Sequence, residues 1–445
     1  MDLNREQLKT AVYPSGVDLV IAGAGTGKTR TLAEKAGMLI KNGMDPASIL
    51  LLTFSRKAAR EIRDRVRGIY GDAASAITAG TFHSFCLGFL EDHPGRFIKR
   101  FGFGEFPSVL DEDSKRDVLT GIVKGRLDRF LGLPAGVIIQ LCEGHCGRGP
   151  AIMKKLESSG LNGSINGLKD SYSLYKRKND LMDFQDMISF ACRLMAEDDV
   201  LRDSIRDGIH YVLVDEYQDT SPGDFELLNL IMHPAKRNLF SVGDDWQSIY
   251  GFRRASVEYT VRMKKYFPEA RIHRLSVNYR SRSEIIDLSS RFIRRNRFRT
   301  SKKLSSFRGR GGRVNFFIIK NPGEEALVIT GIIEKESRPG NEIAVLYRNN
   351  WQGEVLSGSL GIDLPSFNVH LMTMHSSKGL EFDTVIIAGI SDGIIPDQGA
   401  EIEEERRLLY VAMTRARDRL YLIAHFNPGG ELSRFARELG AGDYL

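Results

Sequence analysis

The chain has 445 residues, 42 % of them hydrophobic, with 63 basic against 57 acidic residues and a net charge of +6. At about one domain per 150 residues this suits some three domains with ordinary cores, and the mild basic excess permits a nucleic-acid partner without requiring one. Four cysteines without regular spacing suggest no disulfide framework and fit a reducing, cytoplasmic setting, and with no apolar leader at the N-terminus and no membrane-length run no membrane partner is expected.

The first ninety residues read as strand, loop and helix, repeated. "VDLVIA" (17–22) is a buried-strand run, followed by a glycine-rich turn and a helix to about Lys41. "SILLLTFS" is a second buried strand, and "RKAAREIRDRVRGIY" is strongly helical. Apolar runs alternating with helices predict a parallel sheet covered on both faces. From His93 to Arg206 strand-like runs disappear and helical, charged segments dominate, which predicts a helical insertion. Within it Cys142, His145 and Cys146 stand close enough for zinc, but no second ligand pair follows at finger-like spacing. Strands return at "IHYVLVDE" and "NLFSVGDD", so the first α/β domain (1–92 and 207–270) is expected to be interrupted by the helical one (93–206). A second α/β region (271–445) follows, with strand candidates "RVNFFIIK", "EIAVLYR", "NVHLMTM", "DTVIIAGI" and "RLYLIAHF". Residues 291–313 hold ten Lys/Arg and no acid. They read either as a basic linker or as a phosphate-contacting surface.

"AGAGTGKT" (22–29) follows a strand and opens a helix, the context a phosphate loop needs. Gly23, Gly25 and Gly27 let backbone N–H groups turn inward, Lys28 would reach the β- and γ-phosphates of a nucleoside triphosphate, and the Thr29 hydroxyl would ligate Mg²⁺. The position five before Gly27 is Ala22 rather than glycine, so the match is to a variant pattern. In "YVLVDEYQD", Asp215 ends a buried strand and would hold Mg²⁺ through water, and Glu216 would orient or deprotonate attacking water. In the second region Arg280 follows a strand in "NYRS", and Arg415 falls on an expected helix in "EEERRLLYVAMTRARDRL". Across a cleft between two domains such arginines could stabilise γ-phosphate charge, although either alone would read as a surface salt bridge.

Aromatics cluster at strand ends beside basic groups. Phe54 precedes Arg56, Lys57, Arg60 and Arg63, "GTFHSF" adds Phe82, His83 and Phe85, and Tyr250 and Phe252 follow the acidic turn "VGDDWQ". This pattern suits stacking of unpaired bases, while for any single aromatic core packing is the commoner role. Trp246 in that turn either packs beneath it or touches nucleic acid.

Taken together the motifs resemble those of the UvrD/Rep-type superfamily 1 helicases. "LNREQ", "AGAGTGKT", "LTFSRKAAREIRDRV", "GTFHSF", "VDEYQDTS", "VGDDWQSIYGFRRA", "LSVNYRS", "VHLMTMHSSKGLEFDTVII" and "EEERRLLYVAMTRA" occur in the family's order. The resemblance implies two RecA-like parallel-sheet cores, with ATP between them and single-stranded DNA across their top. It implies an ATP hydrolase that translocates 3′ to 5′ and separates strands at duplex junctions. Gln7 is the implied adenine contact. Ala22, Gly23, Ala24, Gly25, Thr26, Gly27, Lys28, Thr29 and Arg30 form the nucleotide loop. By the same resemblance Gln247 matches the residue that senses the γ-phosphate, Arg280 and Arg415 match the two arginines that reach it, and Glu381 in "KGLEF" matches a ribose or nucleotide contact. Thr81, Arg253, Thr373 and His375 join Phe54, Arg56, Lys57, Phe82, His83, Tyr250 and Phe252 as DNA contacts.

The Trp in "GDDWQSIY" and the basic stretch after "RFIRRN" resemble the DNA helicase IV branch. About ninety residues separate Arg280 from Val369, so the large accessory insertion of many members is expected to be absent. The chain also starts close to the adenine-reading segment and carries no nuclease domain after the last motif, so a minimal motor is expected, monomeric or weakly oligomeric. An alternative is an ATP-dependent remodeller of nucleoprotein complexes such as RNA polymerase, with repair or transcription proteins as partners. A non-hydrolysing clamp would predict a gap in the hydrolytic set, and there is none. RNA is not separated from DNA by phosphate and stacking contacts.

Overall fold

The computed structural model describes residues 3–124, 138–139, 162–251, 254–320, 322–361, 363–427 and 429–444. Cys142, His145, Cys146, Phe252 and Arg253 lie outside them. The chain forms two compact units: Met1–Leu19, Thr29–Val242 and Tyr250–Ile272 make the first, and Val20–Lys28, Gly243–Ile249 and His273–Leu445 the second.

The strands of the first part of the chain are β1 (Val17–Ala22), β2 (Ile49–Thr53), β3 (Thr78–Thr81), β4 (Ser108–Val109), β5 (Leu181–Met182), β6 (Tyr211–Val214), β7 (Leu239–Gly243) and β8 (Arg271–Leu275). Six of them form one sheet in the order β3-β2-β6-β7-β1-β8, and β2 pairs parallel with β3 and β6, as β6 does with β7. The continuous apolar runs of β1, β2, β6 and β7 are buried along their whole length, as parallel strands covered on both faces must be. β8 lies beyond the domain limit expected at residue 270, yet it forms the edge of this sheet. The segment expected to lack strands contains β4 and β5, which pair parallel over two residues each. So short a pair leaves no periodic signal in sequence. Around it lie the helices Phe82–Asp92, Pro94–Phe101, Glu112–Lys124, Asn162–Lys178, Phe184–Glu197 and Asp199–Gly208.

The second unit carries β9 (Val277–Asn278), β10 (Ser305–Ser306), β11 (Arg313–Ile319), β12 (Ile343–Tyr347), β13 (Val369–Thr373), β14 (Phe382–Ile390) and β15 (Ala416–His425). Five of these form a sheet in the order β11-β15-β14-β12-β13, parallel throughout. One face packs Val345, Ile386 and Ile423 against Ile329, Ile332 and Ile333 of the helix Glu325–Glu336 and Leu356 of the helix Asn350–Ser359. The helix Ile402–Met413 begins with Glu403, Glu404 and Glu405, acids favoured by the positive end of the helix dipole. The fold is therefore α/β with two parallel sheets, as the alternation of runs predicts.

Candidate active site

The glycine-rich loop belongs to the second unit. It leaves β1 at Ala22 and enters the helix Lys28–Lys41, whose first turn carries Lys28, Thr29 and Arg30. Gly25 and Gly27 have φ of +66° and +84°, backbone that residues with a Cβ adopt only at a cost. A Cβ on Gly25 would also stand 2.7 Å from the Arg280 Cβ. Thr26 Oγ1 closes the loop on the Gly23 carbonyl at 2.9 Å. Asn278 Nδ2 donates to the Ala24 carbonyl at 2.7 Å, and the Tyr279 N–H donates to the Gly25 carbonyl at 2.8 Å. The Asn278 Oδ1 accepts the N–H groups of Arg280 and Ser281, each at 2.8 Å. One asparagine thus fixes the loop and the backbone of the arginine together.

Arg280 donates from Nε to Glu381 Oε2 at 2.6 Å and from Nη1 to the Thr414 carbonyl at 3.2 Å. Glu381 also receives Arg417 Nη2 at 2.7 Å. Partial burial opposes ionisation of Glu381, but Arg280 and Arg417 outweigh it and hold the carboxyl below its usual range. Glu381, expected to meet the nucleotide, is in this structure the counter-ion of Arg280.

The turn Asp245–Gln247 follows β7. Asp245 accepts the Thr300 N–H and hydroxyl, both at 2.6 Å, and Lys302 Nζ lies 2.7 Å from its Oδ1. Lys302 also bonds Asp244 Oδ1, and all three charged side chains are buried. Burial works against the charge on Asp245, while Lys302 and then Thr300 hold its carboxyl low. Trp246 is 1 % exposed: its ring meets Tyr410 edge-on at 5.7 Å, its Nε1 donates to the Thr300 carbonyl at 3.2 Å, and Lys302 Nζ stands 4.8 Å from the ring. Trp246 therefore packs beneath the turn. Lys302 belongs to the interior of this unit, so the basic run 291–313 is neither a free linker nor a surface at that position.

Gln247 donates from Nε2 to Asp244 Oδ2, accepts Arg415 Nη2 on Oε1 at 3.1 Å, and accepts Lys378 Nζ on its carbonyl at 3.1 Å. Arg415 is 1 % exposed and further donates to the Val411 carbonyl at 2.9 Å and the Leu380 carbonyl at 3.1 Å. It does not sit on a helix as expected. The helix ends at Met413 with Thr414 as C-cap, β15 starts at Ala416, and Arg415 occupies the corner. The β-forming run "LYLI" beyond it claims the chain for the sheet and outcompetes continued helix. Thr373 ends β13, and its Oγ1 lies 2.8 Å from Ser376 Oγ. His375 is half-buried, and burial, then Arg348 and Lys378, lowers its pKa to about 4, so it is neutral near pH 7.

The first unit holds the other candidates. Asp215 follows β6, is buried, and donates its N–H to the Leu52 carbonyl at 2.9 Å. Its Oδ1 accepts the Glu216 N–H at 3.0 Å. Glu216 has φ +50° and ψ 43°, a left-handed conformation costing a non-glycine residue about 1 kcal/mol or more. Its Oε2 accepts Gln218 Nε2 at 2.6 Å, and the same amide reaches Asp219 Oδ2 at 3.2 Å. Phe54, just past β2 and 38 % exposed, stacks on Tyr250 with centroids 4.5 Å apart and planes 15° from parallel. Arg56 and Lys57 are exposed and open a helix capped by Ser55. Thr81 is the N-cap of the next helix in a capping box with Ser84, Phe82 is buried in the core, and His83 meets Phe184 edge-on at 5.8 Å. Gln7 is buried, and its Oε1 caps its own helix by accepting the Asn4 N–H at 3.0 Å.

The loop and the helix it opens offer donors that fit the phosphates of a nucleotide, a helix N-terminus behind turned glycines, a lysine and a hydroxyl; Asp215 in the first unit is a buried carboxylate at a strand end. Among the described residues no three His, Cys, Asp or Glu side chains group as a preformed metal centre. Mg²⁺ needs none, since it binds through one or two protein oxygens, phosphates and its own waters. Among the same residues no helix is long and apolar enough to cross a membrane.

Comparison with known proteins sets this geometry in a family. The UvrD/REP helicase N-terminal domain matches residues 3–268, and the UvrD-like helicase C-terminal domain matches 273–364 and 361–427. The chain belongs to the UvrD/REP helicase family. A probable DNA helicase of Mycoplasma pneumoniae is 30 % identical over 98 % of this chain and 86 % of its own length. The ATP-dependent DNA helicase PcrA of Staphylococcus aureus is 30 % identical, and that of Staphylococcus epidermidis 29 %, each over 80 % of this chain. The chain spans about half the length of these PcrA helicases, 49 % in each case.

Within this UvrD/REP helicase chain, sequence reasoning passed over Asn278, Tyr279, Thr300 and Lys302. Asn278 and Tyr279 stand inside the quoted "NYRS" and could have been weighed with Arg280. For Lys302 the signal was indirect: two adjacent acids after an apolar strand need a counter-ion once buried. The acid-free basic run was the place to look for it.

Proposed function

We propose that the chain is an ATP-driven DNA translocase and helicase, moving 3′ to 5′ along single-stranded DNA in the cytoplasm and separating strands at duplex junctions. Its proposed domains are two RecA-like cores, 1–92 with 207–270 and 271–445, and a helical insertion, 93–206. The observation that carries this reading lies in one unit: the phosphate loop is bonded to Asn278 and Tyr279 beside Arg280, and Arg415 is bonded to Gln247. A loop for phosphates and cationic groups for developing charge are thus linked through few bonds.

Bound ATP with Mg²⁺ supplies a γ-phosphoryl group open to attack by water. Lys28 and the N–H groups of residues 23–27 would hold phosphate oxygens, and the Thr29 hydroxyl and Asp215 carboxylate would hold the metal ion. The Glu216 carboxylate accepts the proton of the attacking water. Gln247 would offer its amide, and Arg280 and Arg415 guanidinium charge, to the γ-phosphoryl group as it passes from ADP to water. The stacked pair Phe54–Tyr250, with the exposed Arg56 and Lys57 on the helix after it, suits unpaired bases and their phosphates.

The test is ATP turnover by the whole chain with and without a single-stranded oligonucleotide, and strand separation on 3′-tailed, 5′-tailed and blunt duplexes. We expect stimulation by single strands and unwinding of the 3′-tailed substrate alone. Turnover indifferent to DNA would favour the nucleoprotein remodeller, and a 5′ preference would overturn the polarity.

A further inference from the structure

Lys302 lies in the basic segment, 58 and 57 residues beyond Asp244 and Asp245, the acids it binds, and has no place in the proposed chemistry. Its ammonium reaches both Asp244 and Asp245, with Lys302 3 % exposed at the side chain and the two carboxylates fully buried. The two acids have different onward partners. Asp245 turns to Thr300, through its N–H and its hydroxyl. Asp244 turns to the Trp246 N–H on Oδ1 and to Gln247 Nε2 on Oδ2. Gln247 then meets Arg415 through Oε1.

This wiring has a polarity. An ionised carboxylate only accepts and a guanidinium only donates, so the Gln247 amide satisfies both in one orientation: nitrogen to Asp244, oxygen to Arg415. Turned over, it would set its oxygen against a carboxylate and its NH₂ against a guanidinium. The orientation follows from the two acceptor oxygens of Asp244. Two adjacent buried carboxylates need a cation beside them, and Lys302 is bonded to both. Among the described residues, no other side chain bonds the second hydrogen of Gln247 Nε2, which leaves a donor on the amide.

We propose that Lys302 is a positioning residue for ATP hydrolysis: by bridging the two buried carboxylates it holds Asp244 against the Gln247 amide, which fixes that amide and, through its oxygen, the Arg415 guanidinium. The inference rests on the nucleotide reading above. It gives Lys302 a duty toward the reaction rather than toward DNA.

Three near-isosteric variants of the full chain separate positioning from mere stability. In Asp244→Asn, the retained oxygen serves Lys302 and the Trp246 N–H, so an NH₂ group now faces Gln247. The glutamine must turn over and present a second donor to Arg415. Lys302→Met removes the counter-ion and keeps most of the side-chain volume. Asp245→Asn damages the same cluster but not the path to Gln247. With a poly-dT oligonucleotide present, Asp244→Asn and Lys302→Met should lower kcat for ATP about 10- to 100-fold with KM within about threefold, the mark of a group acting in the transition state. Asp245→Asn should lower the melting temperature comparably and keep kcat within about twofold. If Lys302→Met does not fold, Asp244→Asn against Asp245→Asn decides alone. Equal kcat in those two variants would make Lys302 a structural residue only. Absence of turnover in the unaltered chain would instead overturn the nucleotide reading itself.

Discussion

Two acid-rich turns follow adjacent strands of the first sheet, and they use their acids in opposite ways. After β7, Asp244 and Asp245 are closed by Lys302 and Thr300, and Trp246 is sealed under Tyr410. After β6, Glu216 takes left-handed backbone, stays half-exposed and is held by the neutral amide of Gln218. Composition does not separate these turns; the partner does. A lysine converts carboxylates into scaffold. A neutral amide orients a carboxylate and leaves its charge in place.

Four experiments would break or sharpen that contrast. The largest effect belongs to the left-handed turn. Glu216→Gln keeps the shape and the Gln218 neighbour but removes the basic oxygen, and should lower DNA-stimulated kcat about 1000-fold with nucleotide binding retained. Turnover within tenfold of the unaltered chain would remove Glu216 from the chemistry.

The second concerns one acid beyond β6, Asp224, and one within the turn after β7, Asp245. Burial raises the Asp224 carboxyl to about 6, whereas Lys302 and Thr300 overcome burial and hold Asp245 low. The signs are opposite. A raised pKa gives stability that is complete below the unfolded value near 3.8 and lost as pH rises through about 6. The depressed Asp245 gives stability that is present above the unfolded value and lost as pH falls through its own lower one. Asp224→Asn should therefore stabilise the chain at pH 8 by at most about 3 kcal/mol and flatten chemical denaturation between pH 4 and 6. An unchanged pH slope would show that Asp224 ionises normally.

Third, Trp246→Phe keeps the ring against Tyr410 and strips the Nε1 bond to Thr300, costing about 2 kcal/mol in urea unfolding. A gain in stability, or a loss of DNA affinity without a stability change, would contradict a scaffolding role. Smallest is Phe54→Ala, which removes one face of the Phe54–Tyr250 stack and should weaken single-stranded DNA about tenfold. An unaltered affinity would return that pair to packing.

The fold was legible wherever one segment carries its own signal. β1, the helices Lys28–Lys41 and Arg56–Tyr70, and all five strands of the second sheet follow from apolar runs and their breaks. The phosphate loop was legible because glycine spacing, a lysine and a hydroxyl fall within eight residues. The illegible parts depend on distant partners. Nothing local in "TSKKL" distinguishes Lys302, which is buried, from Lys303, which is exposed; only the fold brings one to the acids. Phe54 and Tyr250 are separated by nearly two hundred residues, so their stacking was open to expectation only as a shared tendency of strand ends. Arg415 was misplaced because the helical pattern before it and the strand after it meet within two residues.

The backbone of Glu216 sets stability against chemistry at one position. Glycine, or asparagine, relaxes a left-handed φ more readily than glutamate does, yet neither offers a carboxylate. Selection of variants for heat resistance alone should enrich glycine and asparagine there, while selection for turnover should keep glutamate. The two enrichments, compared across a full set of substitutions at residue 216, would measure how much folding free energy the chain gives up to keep that side chain where it is.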